Sequence, residues 1–429
     1  PEAWVFDGGV VGQRGWKAMS DSESVEAILP GPVPLARRMG ELGTWVMRDP
    51  LRLGEVGDVI SLAGGLPAGE TLPAAEIGEA VRQVSTSKLA TAALQYSAAE
   101  GLPALRAWIA DRASADRGRL VDPSQVVVTT GGLQGLDVIA RTLLDPGDLV
   151  AIDEPVFPGS LHCLEMYQPE FLAIPVDADG LDVGALAERL AGGQRPKLVY
   201  TVATFHNPTG ATLTDVRRRE LADLAERYGF VVAEDEPYPA LRFRGNPVPP
   251  IAAYSDRIVT IGSFSKTLGP GLRVGWVVVP SALADAVGRA KRWSDLHTST
   301  LMQYALIELL GRAGWYDAHL ATLPVVYGRR CGALRAAVGE HLAGVVEVND
   351  PAGGLFVWGR VVAPGLSADD LLDAAVRRGV TYVSGPQFAV HNPDPATMRM
   401  SFAGSSPERL ELAARRLADA AITALGSRA

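Results

Sequence analysis

Short runs rich in β-branched residues alternate with longer amphipathic stretches through the middle of the sequence. The runs are Val126–Thr130, Leu149–Ile152, Leu198–Val202, Val231–Glu234, Ile258–Gly262 and Val274–Val279. In the intervening stretch Asp215–Tyr228, Leu221 and Ala225 fall on one face of a helix. This alternation predicts an α/β fold with a mainly parallel sheet covered by helices. Ligands of such sheets bind beyond the carboxyl ends of the strands.

The C-terminal part of the chain has a different pattern. After about Tyr327 we expect a long helix, then a turn at Gly353–Gly354, short strands around Leu355–Trp358 and Met398–Phe402, and a closing helix from Pro407. These elements predict a smaller α+β domain. We therefore expect a large domain over residues 61–325 and a small domain over residues 326–429.

The N-terminal extension, residues 1–60, stands apart from both domains. Pro34–Arg48 is predicted as an arm helix, and the glycines and proline of Leu62–Pro67 predict an irregular loop after it. Met19–Ser22 looks like a translation start, so residues 1–18 are interpreted as upstream or added sequence. These 18 residues are left out of the fold prediction.

Composition restricts the class of protein. With 49 acidic and 40 basic residues the formal net charge is -9, which argues against a nucleic-acid-binding surface. No apolar run approaches the roughly 20 residues of a membrane-spanning helix. Cys163 and Cys331 are the only cysteines, and they lack metal-ligand spacing. We therefore expect a cytoplasmic protein with no metal site, no nucleic-acid partner and no membrane partner.

The loop between the predicted strands Ile258–Gly262 and Val274–Val279 carries the most reactive and charged side chains. It brings Ser263, Ser265, Lys266 and Arg273 together within eleven residues. A lysine amine forms an imine, or Schiff base, with an aldehyde, while hydroxyls and a guanidinium bind phosphate. The group suits a phosphorylated aldehyde, although a Ser-x-Ser-Lys sequence alone is also common in solvated surface loops.

Together with motifs elsewhere in the chain, this loop resembles that of the class I and II aminotransferases. These are fold-type I enzymes that use pyridoxal 5′-phosphate (PLP), and the likeness is strongest to the branch of kynurenine and 2-aminoadipate aminotransferases and MocR effector domains. The resemblance runs from about Ile60 to the C-terminus with the motifs in the family's order. It implies a large PLP-binding domain, a small C-terminal domain and a Schiff base at Lys266.

Two motifs match the family's contacts to the phosphate and to one face of the cofactor ring. Thr129–Asp137 follows a strand and opens a helix, and the resemblance puts Gly132 and Leu133 against the phosphate. Phe157, in Asp153–Pro158, matches the residue that stacks on the ring. A glycine-rich turn and a buried phenylalanine both occur for packing reasons as well.

Polar residues at two further strand ends match the contacts to the ring's heteroatoms. Asn207, in the Asn-Pro-Thr-Gly turn, and Tyr238 match the partners of the phenolic oxygen. Asp235 matches the partner of the protonated ring nitrogen, which makes the ring an electron sink. His206 faces the substrate in one interpretation and has only a packing role in the other.

Three residues are assigned to the substrate or to a second subunit by the resemblance. Arg399, in Met398–Phe402, matches the arginine that clamps the substrate α-carboxylate. Gly65 matches a residue that lines the pocket, although its glycine character also suits a turn. Tyr96 matches the tyrosine that reaches the phosphate of a neighbouring subunit, which implies a homodimer with shared active sites; a simple rim position is the alternative.

These assignments imply a ping-pong transamination between an α-amino acid and a 2-oxo acid, with Lys266 as the group that moves the proton. Two alternatives stay open. The same cofactor supports decarboxylation, oxidation and elimination, so a specialised PLP enzyme acting on an amino acid is one. A MocR-like ligand-sensing domain is the other, although only about 60 residues precede the matching region. Neither the amino acid nor the oxo acid is predicted.

Overall fold

Eight strands form the large sheet, in the order β2-β9-β8-β7-β6-β3-β4-β5. Their bounds are β2 Val126–Thr129, β3 Leu149–Glu154, β4 Glu170–Asp177, β5 Gly180–Leu181, β6 Leu198–Thr201, β7 Val231–Asp235, β8 Ile258–Ser263 and β9 Gly275–Val278. The five neighbouring strands β8, β7, β6, β3 and β4 are parallel to one another. Strand β9 runs antiparallel to both β8 and β2, and β5 runs antiparallel to β4. The computed structural model describes residues 58–426 together with residues 36, 38 and 39.

Helices cover both faces of this sheet. They are α1 Ala74–Thr86, α2 Ala90–Ala93, α3 Pro103–Arg117, α4 Gly132–Leu143, α5 Pro158–Glu165, α6 Val183–Ala191, α7 Asp215–Tyr228, α8 Ser281–Asp295 and α9 Thr300–Leu310. The helix predicted over Asp215–Tyr228 is confirmed, with Thr214 as its N-cap and the left-handed Gly229 after its end. The predicted fold class is also confirmed, since the sheet is large, mainly parallel and flanked by helices.

A second sheet forms the smaller unit. Its antiparallel strands are β10 Val346–Val348, β11 Phe356–Val361, β13 Val383–Ser384 and β14 Thr397–Ser401, while β1 Ile60–Ser61 pairs separately with β12 Val380–Thr381. The helices α10 Trp315–His341, α11 Ala368–Val376 and α12 Pro407–Gly426 pack on it. The closing helix begins at Pro407, as predicted.

Two features differ from the prediction. The long helix starts at Trp315 rather than after about Tyr327, because Pro324 lies inside it and resembles a helix breaker in the sequence. Strand β4 is absent from the prediction, since Glu170–Asp177 is partly exposed and contains a proline. The domain boundary near residue 325 falls within α10 and stays a prediction.

The arm helix expected over Pro34–Arg48 and residues 1–18 lie outside the described residues, apart from the three isolated positions. Among the helices of the described part, none combines the length and the apolar character needed to cross a bilayer.

The direction of the strands determines where the polar loops meet. Because β2, β3, β6, β7 and β8 all point the same way, the residues that follow them gather at one edge of the sheet. Alternate residues point to opposite faces, so Tyr200, Asp235 and Ser263 share one face. Helix α4 packs on this face, since a Cβ on Gly132 would lie 3.6 Å from Ile261 and 3.9 Å from Ser263.

Candidate active site

Lys266 and Asp235 lie at neighbouring strand ends. Lys266 sits on a single 3-10 turn, Phe264–Lys266, directly after β8, and its Nζ donates a hydrogen bond to the Gly65 carbonyl over 2.8 Å. The pKa of Lys266 is lowered to about 8, mainly by burial and also by the positive charges of Arg399 and Arg273, while Asp235 acts in the opposite direction. A lysine with such a pKa exchanges protons near neutral pH.

The carboxylate of Asp235 has a perturbed pKa as well. Burial raises it to about 6, while a hydrogen bond from Tyr200 and the nearby charge of Lys266 act in the opposite direction. The Tyr200 hydroxyl is 2.8 Å from Asp235 Oδ2 and 2.6 Å from Ser160 Oγ. Two titratable groups of opposite charge, both partly desolvated at the ligand-binding edge of a parallel sheet, mark a functional site.

A cluster of hydrogen-bond donors suited to an anion lies beside Lys266. Ser265 N and Ser263 Oγ are 3.0 Å apart, and the two serine hydroxyls are hydrogen-bonded over 2.8 Å. Arg273 reaches across to the Thr130 carbonyl over 2.8 Å, at the turn that opens α4. The first backbone N–H groups of a helix have no partner within it, so Gly132 and Leu133 present theirs at this turn.

The absence of a side chain at Gly131 lets the guanidinium of Arg273 approach this turn. Its φ of +92° suits glycine, and a Cβ at this position would lie 2.5 Å from Arg273 Nη2. Gly275 is similarly restricted, because its Cβ would lie 2.8 Å from the Gly131 carbonyl carbon. The strand end, the helix start and the arginine therefore pack directly against one another.

Arg399 is fully buried on β14, at the boundary between the two sheets. Its guanidinium donates to Asn207 Oδ1 over 2.7 Å and to the Ala63 carbonyl over 2.6 Å. The rings of Phe356 and Phe388 lie 4.2 Å and 4.9 Å from it. Burial lowers the pKa of Arg399 to about 10, which still leaves it a cation at neutral pH. A buried guanidinium in an aromatic frame is suited to gripping a carboxylate.

Asn207 links Arg399 to Tyr238. The Asn207 side chain also lies near the Tyr238 hydroxyl, whose pKa is raised above its ordinary value mainly by burial. Tyr238 packs edge-on against Phe356, with ring centroids 6.2 Å apart. Gly65 lies against the same ring, because a Cβ on it would be 2.7 Å from Phe356 Cζ. The structure thus brings together residues that the sequence places far apart.

Three other predicted residues have different surroundings. Phe157 is half-buried directly before α5, and its ring fills the space that a side chain on Gly159 would need. Leu133 is 41% exposed in the first turn of α4. Tyr96 is 76% exposed and contacts the ring of His297 edge-on, at a centroid distance of 5.7 Å.

His206 is buried beneath the site. Its Nε2 is 3.2 Å from Asp153 Oδ2, without the alignment of a hydrogen bond, and its Nδ1 is 2.9 Å from Thr209 Oγ1. Of the two interpretations of His206, these contacts favour the packing role. Among the described residues, no group of three or more His, Cys, Asp and Glu side chains is arranged to hold a metal ion.

Sequence reasoning missed Tyr200, Ser160, Phe356 and Phe388. Tyr200 falls within a predicted apolar strand, although a tyrosine in a fully buried strand normally needs a partner for its hydroxyl, and that requirement was a usable signal. Phe356 and Phe388 approach Arg399 from distant parts of the small unit, and no local pattern indicated this contact.

The comparison with protein families decides the class of protein. The family described as aminotransferase class I and II matches residues 57–417. The chain belongs to this family. The aminotransferase assignment predicted from the sequence is confirmed: the protein is a PLP-dependent transaminase of fold type I.

Individual relatives of this aminotransferase agree with the family match. Aromatic-amino-acid aminotransferase 1 of Thermococcus litoralis is 36% identical over 379 residues, which cover 87% of this chain and 90% of the relative. A solved kynurenine aminotransferase of Pyrococcus horikoshii, in complex with PMP, has a TM-score of 0.85 and 33% identity, covering 91% of this chain and 97% of that one.

A third comparison is with an α-aminoadipate aminotransferase of Thermus thermophilus, solved as a complex with N-(5′-phosphopyridoxyl)-L-leucine. Its TM-score is 0.84 at 32% identity, and the match covers 91% of this chain and 98% of that chain. The aminotransferase fold of the present chain therefore extends over nearly the whole of these relatives.

Proposed function

We propose that this transaminase holds PLP at the edge formed by β2, β3, β6, β7 and β8, and moves an amino group between an α-amino acid and a 2-oxo acid. The observation that carries the proposal is that Lys266 lies close enough to both Asp235 and Arg273 for their charges to act on it, with the Ser263 and Ser265 hydroxyls just before it in the chain. One PLP molecule would use all three groups: the amine of Lys266 reacts with its aldehyde, the Asp235 carboxylate pairs with its ring nitrogen, and the cluster of donors binds its phosphate.

The residues present fit the cofactor by their chemistry. The phosphate would be held by Ser263, Ser265, Arg273 and the N–H groups of Gly132 and Leu133, whose turn has no room for a side chain at Gly131. The guanidinium of Arg273 occupies the space beside Gly131, so it lies next to the N–H groups that open α4.

Four side chains would contact the cofactor ring. Asp235 would pair with the ring nitrogen, Asn207 and Tyr238 would hydrogen-bond the phenolic oxygen, and Phe157 would lie against one ring face. When bound, PLP supplies an aldehyde that captures the substrate amine and a ring that delocalises the electrons left at Cα. Tyr200 and Ser160 would keep the Asp235 carboxylate oriented.

The chain's own side chains account for substrate positioning and proton transfer. Arg399 would grip the substrate α-carboxylate through its planar fork, held in place by Asn207 and by the Ala63 carbonyl. Lys266 Nζ, with its pKa of about 8, would then take the proton from the substrate Cα and deliver it to the C4′ carbon of the cofactor, two bonds away. Gly65 would border the same pocket through its contact with Lys266.

We propose further that two chains associate with Tyr96 of each reaching the other's phosphate site. The support is the exposed surface around it, where Leu94 is 80% exposed, Tyr96 76% and Trp293 76%. Large apolar side chains exposed to this degree are typical of a subunit interface. Cytoplasmic localisation is proposed from the composition and from the two free cysteines, Cys163 and Cys331.

The test is to replace Lys266 with Ala and, as the matched control, to replace Lys88, a lysine on the surface, with Ala. Borohydride reduction of the wild-type holoenzyme should leave a pyridoxyl group on the peptide that contains Lys266. The Lys266→Ala protein should show neither this label nor the absorbance of the imine, and its turnover should be lost. A label on a different lysine, or full turnover in Lys266→Ala, would contradict the proposal.

A further inference from the structure

A second cavity lies on the face of the large sheet that is turned away from the proposed cofactor site. Its volume is about 560 Å³, within the range typical of small-molecule pockets. Helix α3, strands β8 and β9, the start of α10 and residues 236–250 surround it. Asp235 and Glu236 are chain neighbours that point to opposite sides, so Glu236 lines this cavity while Asp235 faces Lys266.

Two arginines that line the cavity have no carboxylate partner among the described residues. Arg117 is only 9% exposed, and its guanidinium makes one side-chain hydrogen bond there, to the neutral Thr260 hydroxyl over 2.9 Å. Arg242 lies 4.6 Å above the Phe205 ring and forms no ion pair with any described residue. A buried guanidinium without a direct ion pair is costly in free energy, and burial outweighs the more distant carboxylates in its effect on the pKa of Arg117. Arg117 and the half-buried Arg242 therefore favour an anion between them.

The other charged groups of the lining do not neutralise them. Arg112 pairs with Asp317 over 2.8 Å, and Arg218 pairs with the buried Glu234 over 3.4 Å and with Glu236 over 3.5 Å. Asp116 also lines the cavity, but it forms no ion pair with a described arginine. Arg112 and Arg218 are thus held in ion pairs, whereas Arg117 and Arg242 form none with the residues that the structure describes.

Glu236 adds a buried carboxyl oxygen that has no hydrogen-bond partner in the described part of the chain. Its Oε1 accepts from the Thr204 hydroxyl over 2.9 Å, whereas its Oε2 has no hydrogen-bond partner among the described residues. Burial raises the pKa of Glu236 to about 8. Burial therefore favours the protonated form, in which Oε2 can donate a hydrogen bond to an oxyanion, while the charge of Arg218 acts in the opposite direction.

The opposite wall of the cavity is aromatic. Trp108 and Tyr316 pack edge-on with ring centroids 5.2 Å apart, and Trp276 completes the wall from β9. A ligand that covered these rings would remove apolar surface from water while its charged end met the arginines. A simple inorganic anion would leave this wall uncovered.

We propose that the cavity is a binding site for a small organic carboxylate with an apolar, preferably aromatic, body. Its carboxylate is bound by Arg117 and Arg242, with Glu236 as an additional donor, and its body lies on Trp108 and Trp276. This site is distinct from that of the substrate carboxylate, which is proposed to bind at Arg399 on the other side of the sheet.

The cavity is connected to the catalytic side through chain neighbours. Thr267 lines it next to Lys266, and Thr204 lies three residues before Asn207. The Tyr316 hydroxyl contacts Thr267 Oγ1 over 3.3 Å. A ligand in the cavity would therefore contact residues whose neighbours belong to the proposed active site.

The experiment measures binding of 3-phenylpropionate to the holoenzyme by isothermal titration calorimetry. The active site is first blocked with aminooxyacetate, which captures the cofactor aldehyde and places its own carboxylate at the substrate clamp. The accompanying change in absorbance tests the cofactor proposal separately. We expect one 3-phenylpropionate to bind per blocked chain, with inorganic phosphate binding about ten-fold more weakly because it covers no aromatic surface.

Three variants identify the site. Arg242→Gln and Arg117→Gln should each weaken 3-phenylpropionate binding by about ten-fold or more, the loss expected for a charged hydrogen bond. Arg244→Gln is the matched control, because Arg244 pairs with Asp350 outside the cavity, and it should bind as the wild type does. The cofactor absorbance of each variant reports whether it has folded.

Other results would overturn the assignment. These are the absence of binding to the blocked wild-type enzyme, equal affinity for inorganic phosphate, or binding that neither Arg242→Gln nor Arg117→Gln weakens in folded protein.

Discussion

The Tyr200 hydroxyl donates a hydrogen bond to Asp235 Oδ2 over 2.8 Å and lies 2.6 Å from Ser160 Oγ, from which it is free to accept one. Tyr200 comes from β6, Asp235 from β7 and Ser160 from α5, so three elements hold one carboxylate. The hydrogen bond favours the charged form of Asp235 and opposes the effect of burial on its pKa.

Replacing Tyr200 with Phe should therefore raise the pKa of Asp235 further. Because an ionised Asp235 is the proposed partner of the ring nitrogen, the acid limb of the kcat profile should move to higher pH, with kcat near neutral pH falling by about ten-fold. Tyr167→Phe is the control, since the Tyr167 hydroxyl bonds Asp137 outside the site over 2.6 Å. An unchanged pH profile in Tyr200→Phe would show that this hydrogen bond does not tune Asp235.

Much of the site was predictable because its residues follow strands. The loops after β6, β7 and β8 carry Asn207, Asp235 and Lys266, and the carboxyl ends of parallel strands meet at one edge. The apolar periodicity of the strands, combined with the motif resemblance, was enough to place these three residues together.

The surroundings of these residues were not predictable in the same way. Tyr200 lies inside a buried strand, where its apolar ring fits the pattern and hides the role of its hydroxyl. Phe356 and Phe388 meet Arg399 only through tertiary packing of the small sheet. The cavity behind Asp235 depends on which way Glu236 and Arg117 turn, and that depends on contacts between distant elements.

Asp235 should lower the free energy of unfolding of the cofactor-free protein, although it is proposed to bind the ring nitrogen when PLP is present. Its pKa in the folded chain is raised to about 6, so folding favours the protonated form, and stability falls as the pH rises from about 4 through 6. Asp235→Asn apoprotein should thus be more stable than wild type by up to about 3 kcal/mol at pH 8. The advantage should disappear towards pH 4.

Urea unfolding of the two apoproteins at several pH values measures this difference directly. Asp145→Asn, at an exposed position near Lys197, is the control and should show no such pH-dependent gain. The same Asp235→Asn protein should bind PLP more weakly than wild type. If its stability did not differ from that of wild type at pH 8, the desolvation of Asp235 would be much smaller than its burial indicates.

Arg399→Lys should separate charge from geometry at the proposed carboxylate clamp. Lysine keeps the positive charge but offers a single ammonium in place of the planar fork, and it lacks the flat surface that packs between Phe356 and Phe388. We expect the KM for the amino acid to rise by about ten- to hundred-fold. Steady-state kinetics with varied amino donor measures it.

The matched control for Arg399→Lys is Arg360→Lys. Arg360 lies on β11 and pairs with Asp394 at the surface, away from the site. Its kinetics should match those of wild type. An unchanged KM in Arg399→Lys would mean that the substrate carboxylate binds elsewhere.

Gly131→Ala should damage the phosphate site more than it damages the fold. The φ of +92° and ψ of 168° at Gly131 are accessible almost only to glycine, and the added Cβ would lie 2.5 Å from Arg273 Nη2. Gly118→Ala is the control, since Gly118 also has a positive φ of +65° but open space around it.

Both substitutions should destabilise the protein by about 1–2 kcal/mol through backbone strain. Only Gly131→Ala should also push the guanidinium of Arg273 away from the start of α4, and so weaken PLP binding by about ten-fold or more, as measured by equilibrium dialysis of the apoprotein. Equal PLP affinity in the two variants would mean that the turn at Gly131 does not form the phosphate site.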